Sequence, residues 1–377
     1  MSKGRRDMDL NDEVDGSERK RATIHDVARE CGVSVSTVSN ALAGKTNVSE
    51  ETKQRVLAAA AKLGYRASKF ARSLRMQRSF TIGVLIADVA NPASPDFVRG
   101  IEDVAFREHC TLLLCNTDGD EGRQIAHMRS LLDQQVDGMV LISQHCEGEA
   151  VRQLLSAGTP FVLLQRRSHR YADDYVGADN LTSVIDAVRH LTDLGHRRIA
   201  FIRGPHESST AQERFDAYLH AVRVFGLDND PNLIFSGNYS IEGGYAAAMR
   251  FLELDKPPTA ILASNDMSAM GVLNAASERQ IEVPGNVSLI GFDDIALASF
   301  SRINLTTIHL PKRDMGAAAA QLLMKRIQSK EPLEPQTLIF PTRLVVRGTT
   351  GIAANGKPKV RVAALSRRSG EAAPLGT

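Results

Sequence analysis

From Phe80 onward, short apolar runs alternate with longer stretches of helical periodicity. Runs such as "TIGVLIAD", "GMVLIS" and "PFVLLQ" contain few polar residues, which indicates strands that are buried on both faces. Strands of this kind form parallel sheets, in which a helix usually makes each crossover connection. The same alternation restarts with "RRIAFIRG" at Arg197. We therefore predict two α/β lobes with parallel sheets and a cleft between them.

Polar residues that follow these strands predict a ligand site. Ligands of open parallel sheets bind outside the carboxyl ends of the strands. The polar clusters at those ends are Asp88 with Asn91, Asn116 to Asp118, Gln165 with Arg166, Asn265 with Asp266, and Asp293 with Asp294. One such cluster is ordinary, because loops are polar. Together they favour a site for a polar small molecule in the cleft.

The stretch "TIHDVARECGVSVSTVSNAL", Thr23 to Leu42, predicts two short helices joined by a turn. Thr23 can cap the first helix, and Asp26 lies three residues on, near the positive end of the helix dipole. Gly32 supplies the positive φ of the turn, and Ser34 caps the second helix. A buried stripe is indicated by the spacing of Ile24, Val27, Ala28 and Cys31.

The second helix of this stretch turns small side chains outward, at Ser36, Ser39 and Asn40, with Val35 beside them. Such side chains suit close approach to base edges rather than catalysis. A third helix is predicted in "NVSEETKQRVLAAAAKLGY", with Ser49 as its cap. Together the three helices predict a helix-turn-helix unit, whose second helix enters the major groove of DNA.

The positive charge of the chain is concentrated in this unit and just after it. The net charge is only +2, yet residues 19–78 hold thirteen Lys and Arg against four acidic residues. A basic block on a near-neutral protein indicates binding to a polyanion. From charge alone, a solvated helical surface is the alternative.

Other function classes lack their motifs. No nucleophile elbow, P-loop or HExxH pattern occurs, and the adjacent acids Asp293 and Asp294 should point to opposite faces of a strand end. The four cysteines include no CxxC pair, so we expect buried thiols and neither a metal nor a cofactor. No apolar run reaches eighteen residues and residues 1–21 contain no signal-peptide core, which predicts a cytoplasmic protein without a membrane partner.

A family resemblance is carried by "ATIHDVARECGVSVSTVSNALAGKTNVSEETKQRVLAAAAKLGY" and by motifs that extend to about residue 350. The chain closely resembles the LacI/GalR family of bacterial transcriptional regulators. The resemblance implies a helix-turn-helix DNA-binding domain at 22–66, a hinge helix at 67–79 and a two-lobed periplasmic-binding-protein-like core at 80–350 for effector binding and dimerisation. We expect residues 1–21 and 351–377 to be disordered, the latter without leucine heptads for a tetramer.

The resemblance implies DNA contacts from the helix-turn-helix domain and from the hinge. The implied DNA-binding residues are Thr23, Val35, Ser36, Thr37, Ser39, Asn40, Asn47, Tyr65, Arg72 and Leu74. In the family the hinge helix forms on DNA, pairs with its twin and inserts a leucine into the minor groove, and Leu74 matches that leucine. A flexible cationic linker without a wedge is the alternative. Asn40 stands where arginine is frequent, and an asparagine suits adenine.

The resemblance also implies the residues that hold an effector in the cleft. They are Asp88, Asn91, Asp118, Gln165, Arg214, Tyr239, Asn265 and Asp293. Arg214 matches a family arginine that binds a ligand hydroxyl or carboxylate, and Tyr239 stands where an aromatic face often covers a ring. Asn265 and Asp293 match residues that hydrogen-bond the ligand from the second lobe.

Some positions depart from the family pattern. Gln165 stands where an aspartate is usual, and Ala93 and Ser94 stand where two aromatic residues are frequent. These departures weaken any inference that the effector is a common hexose.

Together these features predict a sequence-specific regulator, a repressor, that binds near-palindromic double-stranded operator DNA as a homodimer. A small polar effector, a sugar or sugar derivative, would control operator affinity allosterically. We expect the protein to be associated with the nucleoid and to have no enzymatic activity. The alternative is a cytoplasmic small-molecule-binding protein without specific operator binding.

Replacing the predicted wedge, Leu74→Ala, should separate general from specific DNA binding. We expect weak general binding to persist, because the phosphate contacts remain, and most operator preference to be lost with the wedge. Fluorescence anisotropy at one salt concentration measures the affinity for a duplex selected by the wild-type protein and for a duplex with the scrambled sequence. The ratio of the two affinities gives the operator preference. Unchanged discrimination between the two duplexes would refute the wedge.

Overall fold

The computed structural model describes residues 22–42, 47–65 and 78–353. The protein divides into two compact units, Met1–Ser79 and Phe80–Thr377. The predicted N-terminal extension, most of the predicted hinge helix and most of the predicted C-terminal tail lie outside the described residues. Among the helices of the described ranges, none has the length and apolar character needed to span a membrane.

The first unit contains, in its described part, the helices α1 (Ile24–Cys31), α2 (Val35–Leu42) and α3 (Glu50–Lys62). The predicted cap of α1 is confirmed as a capping box: Thr23 N donates to Asp26 Oδ2 at 2.9 Å, and Asp26 N donates to Thr23 Oγ1 at 3.4 Å. The helix ends at Gly32, whose φ of 62° is the left-handed conformation that glycine adopts without strain.

The three helices enclose a small apolar core. Val27, Val38 and Val56, one from each helix, have no exposed surface. Polar contacts join α3 to α1, since an Arg55 Nη donates to Cys31 O at 2.6 Å. The core and these contacts hold α2 at a fixed angle to its neighbours, which is what a recognition helix requires.

The first lobe of the second unit is a sheet with helices on both faces. Its strands are β1 (Thr81–Ile86), β2 (Thr111–Asn116), β3 (Gly138–Ile142), β4 (Phe161–Leu164), β5 (Tyr175–Ala178) and β11 (Thr337–Phe340), and its helices are α4 (Ser94–Arg107), α5 (Glu121–Asp133), α6 (Glu149–Leu155) and α11 (Lys312–Gln328). Among the described residues this sheet has six strands in the order β11-β5-β4-β3-β1-β2, and neighbouring strands are parallel.

The second lobe repeats this plan. Its strands are β6 (Ile199–Arg203), β7 (Ile234–Ser236), β8 (Ala260–Ala263), β9 (Ser288–Asp293), β10 (Thr306–His309) and β12 (Arg343–Val345), and its helices are α7 (Asn180–Asp193), α8 (Ser209–Val224), α9 (Ile241–Leu252) and α10 (Asp266–Glu278). The order across the six described strands is β12-β10-β9-β8-β6-β7, with β12 antiparallel to β10. The prediction of two lobes with parallel sheets is confirmed.

The chain passes between the lobes more than once. Within the described residues it crosses between β5 and α7, between β10 and α11, and between β11 and β12. These crossings were not predicted from the apolar runs of the sequence. Each lobe therefore depends on segments from both halves of the second unit.

An apolar cluster links the lobes. It includes Ile101 and Met315 beside the first sheet, Val176 in β5, and Phe201 with Tyr218 in the second lobe. Since buried apolar surface stabilises roughly in proportion to its area, this shared cluster makes the two lobes one folding unit.

Helices α4 and α11 approach each other so closely that glycine is required at the contact. A Cβ at Gly100 would lie 2.0 Å from Arg313 O, and one at Gly316 would lie 2.1 Å from Phe97 O. No side chain fits between two backbones at this distance. The pair of helices therefore depends on these two positions.

Gly100→Ala should lower the free energy of unfolding by roughly 1–3 kcal/mol, because the methyl group forces the two helices apart. Urea unfolding followed by circular dichroism measures the change. Gln321→Ala, at an exposed position of α11, is the control and should stay within about 0.5 kcal/mol of the wild type. Equal stability of Gly100→Ala and the wild type would contradict the close approach.

Candidate nucleic-acid interface and effector cleft

The start of α2 carries a network of hydroxyl groups. Ser36 is exposed, whereas Thr37, Ser39 and Asn40 are half-buried. Ser34 Oγ lies 2.7 Å from Ser36 Oγ and 2.8 Å from Thr37 Oγ1, and it accepts a hydrogen bond from Thr37 N at 3.1 Å. The predicted cap at Ser34 is thus confirmed. The network holds the hydroxyls at the N-terminal end of α2, where a recognition helix contacts base edges.

Val35 differs from the sequence prediction. The pattern placed its side chain outward, but the structure makes it half-buried and packs it against the cluster that contains Val27 and Val38. The reason is geometric, because side chains on a helix lean toward its N-terminus, here toward the turn and the core beneath it. Val35 is therefore partly a core residue.

The other predicted DNA contacts are placed as follows. Thr23 is exposed, and its hydroxyl donates to the capping-box carboxylate at 2.7 Å. Asn47 is exposed in the loop before α3. Tyr65 follows α3, is half-buried and packs against the three-helix core, and burial raises its pKa. Arg72 and Leu74 lie outside the described residues.

Arg214, on α8, is the charged centre of the candidate cleft. Its side chain is 3% exposed, its Nε donates to Asn180 Oδ1 at 3.0 Å, and one Nη donates to Ser264 O at 2.6 Å. The guanidinium also lies over Phe292, 3.4 Å from the ring centroid. A guanidinium held this firmly is suited to bind a ligand hydroxyl or carboxylate in one orientation.

Two buried carboxyl groups accompany Arg214. Burial raises the pKa of Asp293, at the end of β9, to about 6, although Arg214 and Lys312 act in the opposite direction. Asp266 has no exposed surface, and burial together with the charge of Asp293 raises its pKa to about 7. Because two buried acids do not ionise independently, the pair retains protons close to neutral pH.

Asp294 has partners different from those of Asp293. Its carboxylate accepts hydrogen bonds from His309 Nδ1 at 2.9 Å and from an Arg347 Nη at 2.6 Å. Asp293 and Asp294 therefore diverge, as the strand geometry predicted. Among the described residues, no group of three His, Cys, Asp or Glu side chains is placed to hold a metal ion.

Tyr239 and Asn265 meet beside Arg214. Asn265 caps α10 with its Oδ1, and its Nδ2 donates to Tyr239 O at 3.0 Å. Tyr239 has a φ of 62°, which is strained for a bulky residue, and its ring covers the backbone of Gly204. Tyr239 lies close enough to Arg214 and Asp293 for their charges to act on its hydroxyl. The structure thus brings Arg214, Tyr239, Asn265 and Asp293 together in the second lobe.

Gln165 lies where the first lobe joins this cluster. It follows β4, is 6% exposed and has a φ of 74°. The backbone carbonyl oxygen of Gln165 accepts a hydrogen bond from Thr210 Oγ1 at 2.5 Å, and the backbone N–H of Arg167 donates to Ser209 Oγ at 2.9 Å. Arg167 also forms an ion pair with Glu213 at 2.8 Å. The first turn of α8 therefore rests on the end of β4.

The remaining predicted effector residues are engaged in their own loops. Asp88 and Asn91 each accept a hydrogen bond from the backbone N–H two residues on, at 2.8 and 3.0 Å. Asp118 forms an ion pair with Arg123. In the part of the chain that the structure describes, no hydrogen bond or ion pair joins these three side chains to Arg214. Their role in effector binding stays a prediction.

A cavity of about 330 Å³ lies between the lobes. Its lining includes Cys146, Arg166 and Arg167 from the first lobe and His206, Ser208 and Gln212 from the second. Of these residues, only Arg166 was predicted to lie at the cleft. The loop after β3, which carries Cys146, was not predicted there, although "QHCE" directly after the apolar run "GMVLIS" is a signal of the same kind as the others.

Asp293→Asn should weaken the pH dependence of stability between pH 5 and pH 7. In the wild type both raised carboxyl pKa values make the folded state bind protons more tightly, so stability increases as the pH falls through about 7 and 6. The variant removes the carboxyl group of Asp293 and, with it, the charge that repels the Asp266 carboxylate. We expect the increase in the free energy of unfolding from pH 7 to pH 5, measured by urea unfolding, to be smaller than in the wild type by on the order of 1–2 kcal/mol.

The matched control for this experiment is Asp294→Asn. Burial raises the pKa of Asp294, but hydrogen bonds from Arg347 and His309 outweigh burial and the net shift is downward. Stability linked to Asp294 is therefore lost only at pH values below those tested. This variant should keep most of the wild-type increase in the free energy of unfolding from pH 7 to pH 5, because the charge of Asp294 is a minor cause of the raised pKa of Asp266. An unchanged gain in Asp293→Asn would show that the buried acids do not share protons in this way.

Comparisons with known proteins cover both units. The family model described as "Bacterial regulatory proteins, lacI family" matches residues 23–68, and the model described as "Periplasmic binding protein-like domain" matches residues 188–350. The first range contains α1 to α3, and the second runs from α7 to the end of the second lobe.

Individual relatives match over almost the whole chain. Catabolite control protein A of Priestia megaterium is 34% identical over 329 residues, which is 87% of this chain and 99% of that protein. The ribose operon repressor of Escherichia coli K12 is 36% identical over 330 residues, with the same coverage. The crystal structure of the Lac repressor dimer bound to operator and the anti-inducer ONPF has a TM-score of 0.79 and 27% identity, covering 88% of this chain and 100% of that one. The chain belongs to the lacI family of bacterial regulatory proteins.

Proposed function

We propose that the protein is a repressor that binds a near-palindromic operator as a homodimer and that a small polar effector in the cleft sets its operator affinity. In this proposal α2 enters the major groove, and Ser36, Thr37 and Asn40 read base edges. A twofold protein selects a twofold site on DNA. The structure of the Lac repressor dimer on its operator supports this arrangement for a relative of the same family.

The observation that carries the effector proposal is the placement of Arg214. A guanidinium that is almost fully buried, with an aromatic ring beneath it and Asp293, Tyr239 and Asn265 around it, is a polar site in a largely apolar surrounding. Such sites bind small polar molecules in a defined orientation. We propose a sugar or a sugar derivative, and the name of the ribose operon repressor supports a sugar-related signal.

The contact between the lobes supplies the coupling. The first turn of α8 touches the end of β4 through Thr210 and Gln165, and Arg214 lies one turn further along the same helix. A ligand held by Arg214 and by the first lobe favours one relation of the lobes over another. Coupling free energies of this kind are typically 1–3 kcal/mol, roughly 5- to 150-fold in affinity.

The alternative, a small-molecule-binding protein without specific operator binding, is not favoured. The match of the lacI family model to residues 23–68 covers the entire helix-turn-helix. Thr23, Gly32 and Ser34 also form the caps and the turn that this motif requires.

Arg214→Ala should leave operator binding intact and abolish the response to the effector. The operator is a duplex selected by the wild-type protein from genomic fragments, and anisotropy is measured with a panel of sugars, sugar phosphates, polyols and nucleobases. Arg223→Ala, at an exposed position of the same helix, is the control and should respond normally. A normal response of Arg214→Ala would remove Arg214 from the site, and the absence of any saturable, salt-sensitive DNA binding by the wild type would refute the proposed function.

A further inference from the structure

Lys312 is a buried lysine at a point where the chain crosses from the second lobe to the first. It is the first residue of α11 and is only 4% exposed. A positive charge is unfavourable at this place, because burial removes its hydration and because the N-terminal end of a helix is itself positive. An apolar side chain of the same length would avoid both costs, so the ammonium group is expected to have specific partners.

The partners of Lys312 are backbone carbonyl groups of the second lobe. Its Nζ donates to Asp293 O and, at 3.3 Å, to Asp294 O, at the end of β9. These two aspartates have φ values of 115° and 52°, in the region that residues with a side chain rarely adopt. Such conformations persist only where the surrounding contacts hold them. A helix of the first lobe therefore supplies a contact that holds a strained turn of the second lobe.

The same turn belongs to the candidate effector site. The charges of Arg214 and Lys312 both act on the carboxyl group of Asp293 and lower its pKa, against the larger effect of burial. Directly after the turn, Ile295 N donates to Asp266 Oδ2 at 2.9 Å. A displacement of Lys312 would therefore change the surroundings of both buried carboxyl groups.

Asp294 is held by contacts of a different origin. Its carboxylate accepts hydrogen bonds from His309 Nδ1 at 2.9 Å and from an Arg347 Nη at 2.6 Å. His309 ends β10 and Arg347 follows β12, so both donors belong to the second lobe. Of the three side chains that hold the turn in this way, Lys312 is the one on a helix of the first lobe. It is thus the contact that a movement of the lobes would alter.

We propose that Lys312 is a positioning residue that ties the turn at Asp293 and Asp294 to the first lobe, so that a movement of the lobes repositions the Asp293 carboxyl group. This inference rests on the proposed function and specifies how its coupling is transmitted. A ligand that prefers one position of this carboxyl group then prefers one relation of the lobes, and the reverse follows because the coupling is reciprocal. Lys312 acts through Asp293 and not through a contact with the ligand.

Hydrogen–deuterium exchange of the ligand-free protein tests the contact. Lys312→Met removes the donor, so we expect the amides of residues 293–296 to exchange about fivefold faster or more. A lysine that served only to begin α11 would change exchange at residues 312–316 and leave the turn unaffected. Lys312→Gln, which keeps an N–H donor on a shorter side chain, should give an intermediate rate and serves if the methionine variant does not fold.

The matched control is Lys325→Met, at an exposed position of the same helix, which should exchange like the wild type. Wild-type exchange at the turn in both variants of Lys312 would overturn the inference.

The pH profile of stability gives a second readout. Both variants of Lys312 remove a charge that lowers the pKa of Asp293, so the folded protein should bind its proton more tightly. The urea midpoint should then rise more from pH 7 to pH 5 than in the wild type, whereas a role only in α11 would lower it equally at both. The other charged groups of the surrounding elements are unchanged in these variants: Arg214, Asp266, Asp294, His309 and Arg347.

Operator binding tests the coupling. The probe is the one among ribose, glucose, ribose 5-phosphate, glucose 6-phosphate, sorbitol and hypoxanthine that most changes the affinity of the full-length wild type for its selected duplex. We expect Lys312→Met to reduce the ratio of dissociation constants with and without this probe by about fivefold or more, and Lys325→Met to keep it. A wild-type ratio in Lys312→Met overturns the inference and leaves the proposed function standing. If no probe changes the affinity of the wild type, the proposed function fails, and the exchange rates still decide whether Lys312 holds the turn.

Discussion

The contact between the first turn of α8 and the end of β4 is the constraint on which the cleft depends. Thr210, Ser209 and Glu213 meet Gln165 and Arg167 there through hydrogen bonds and an ion pair. The ion pair is partly exposed, so it contributes less than about 1 kcal/mol. Because this contact is polar and weak, its hydrogen bonds can be exchanged at small cost, whereas the apolar cluster that also links the lobes resists any shift that exposes its buried surface.

The cleft contains buried carboxyl groups close to buried cationic side chains, an arrangement that is rare in a core with a purely structural role. Asp266 and Asp293 are buried together beside Arg214 and Lys312, and both carboxyl pKa values are raised. Tyr239 adds a strained backbone conformation at the same place. Since each of these features lowers the stability of the empty protein, their concentration at one point is evidence for a binding site rather than for packing.

Local rules explain why some elements could be predicted from the sequence and others could not. The capping box at Thr23, the turn at Gly32 and the continuous apolar runs of β1 to β4 each depend on residues that are close together in the sequence. The crossing elements are not, because α11 is fixed by partners far away in sequence, as in the ion pair between Arg326 and Asp174. β11 is mostly exposed and resembles a loop by composition. Arg214 was identified only through the family resemblance, since nothing in its neighbourhood marks a buried guanidinium.

The departures from the family pattern lie where the lobes meet. Ala93, which stands where an aromatic residue is frequent, is buried in the apolar cluster of the second lobe. Because the side chain of Ala93 is small, the loop after β1 can pack directly against the second lobe. An aromatic ring at this position would need space that the apolar cluster occupies. The lobes are thus joined by apolar contacts, at Ala93 and in the cluster that contains Ile101 and Phe201, and by a polar contact at Gln165. Because an apolar contact loses buried area when it opens, whereas hydrogen bonds can be exchanged for others, the polar side, which carries the cavity, is the side of the lobe contact that can rearrange at the smaller cost.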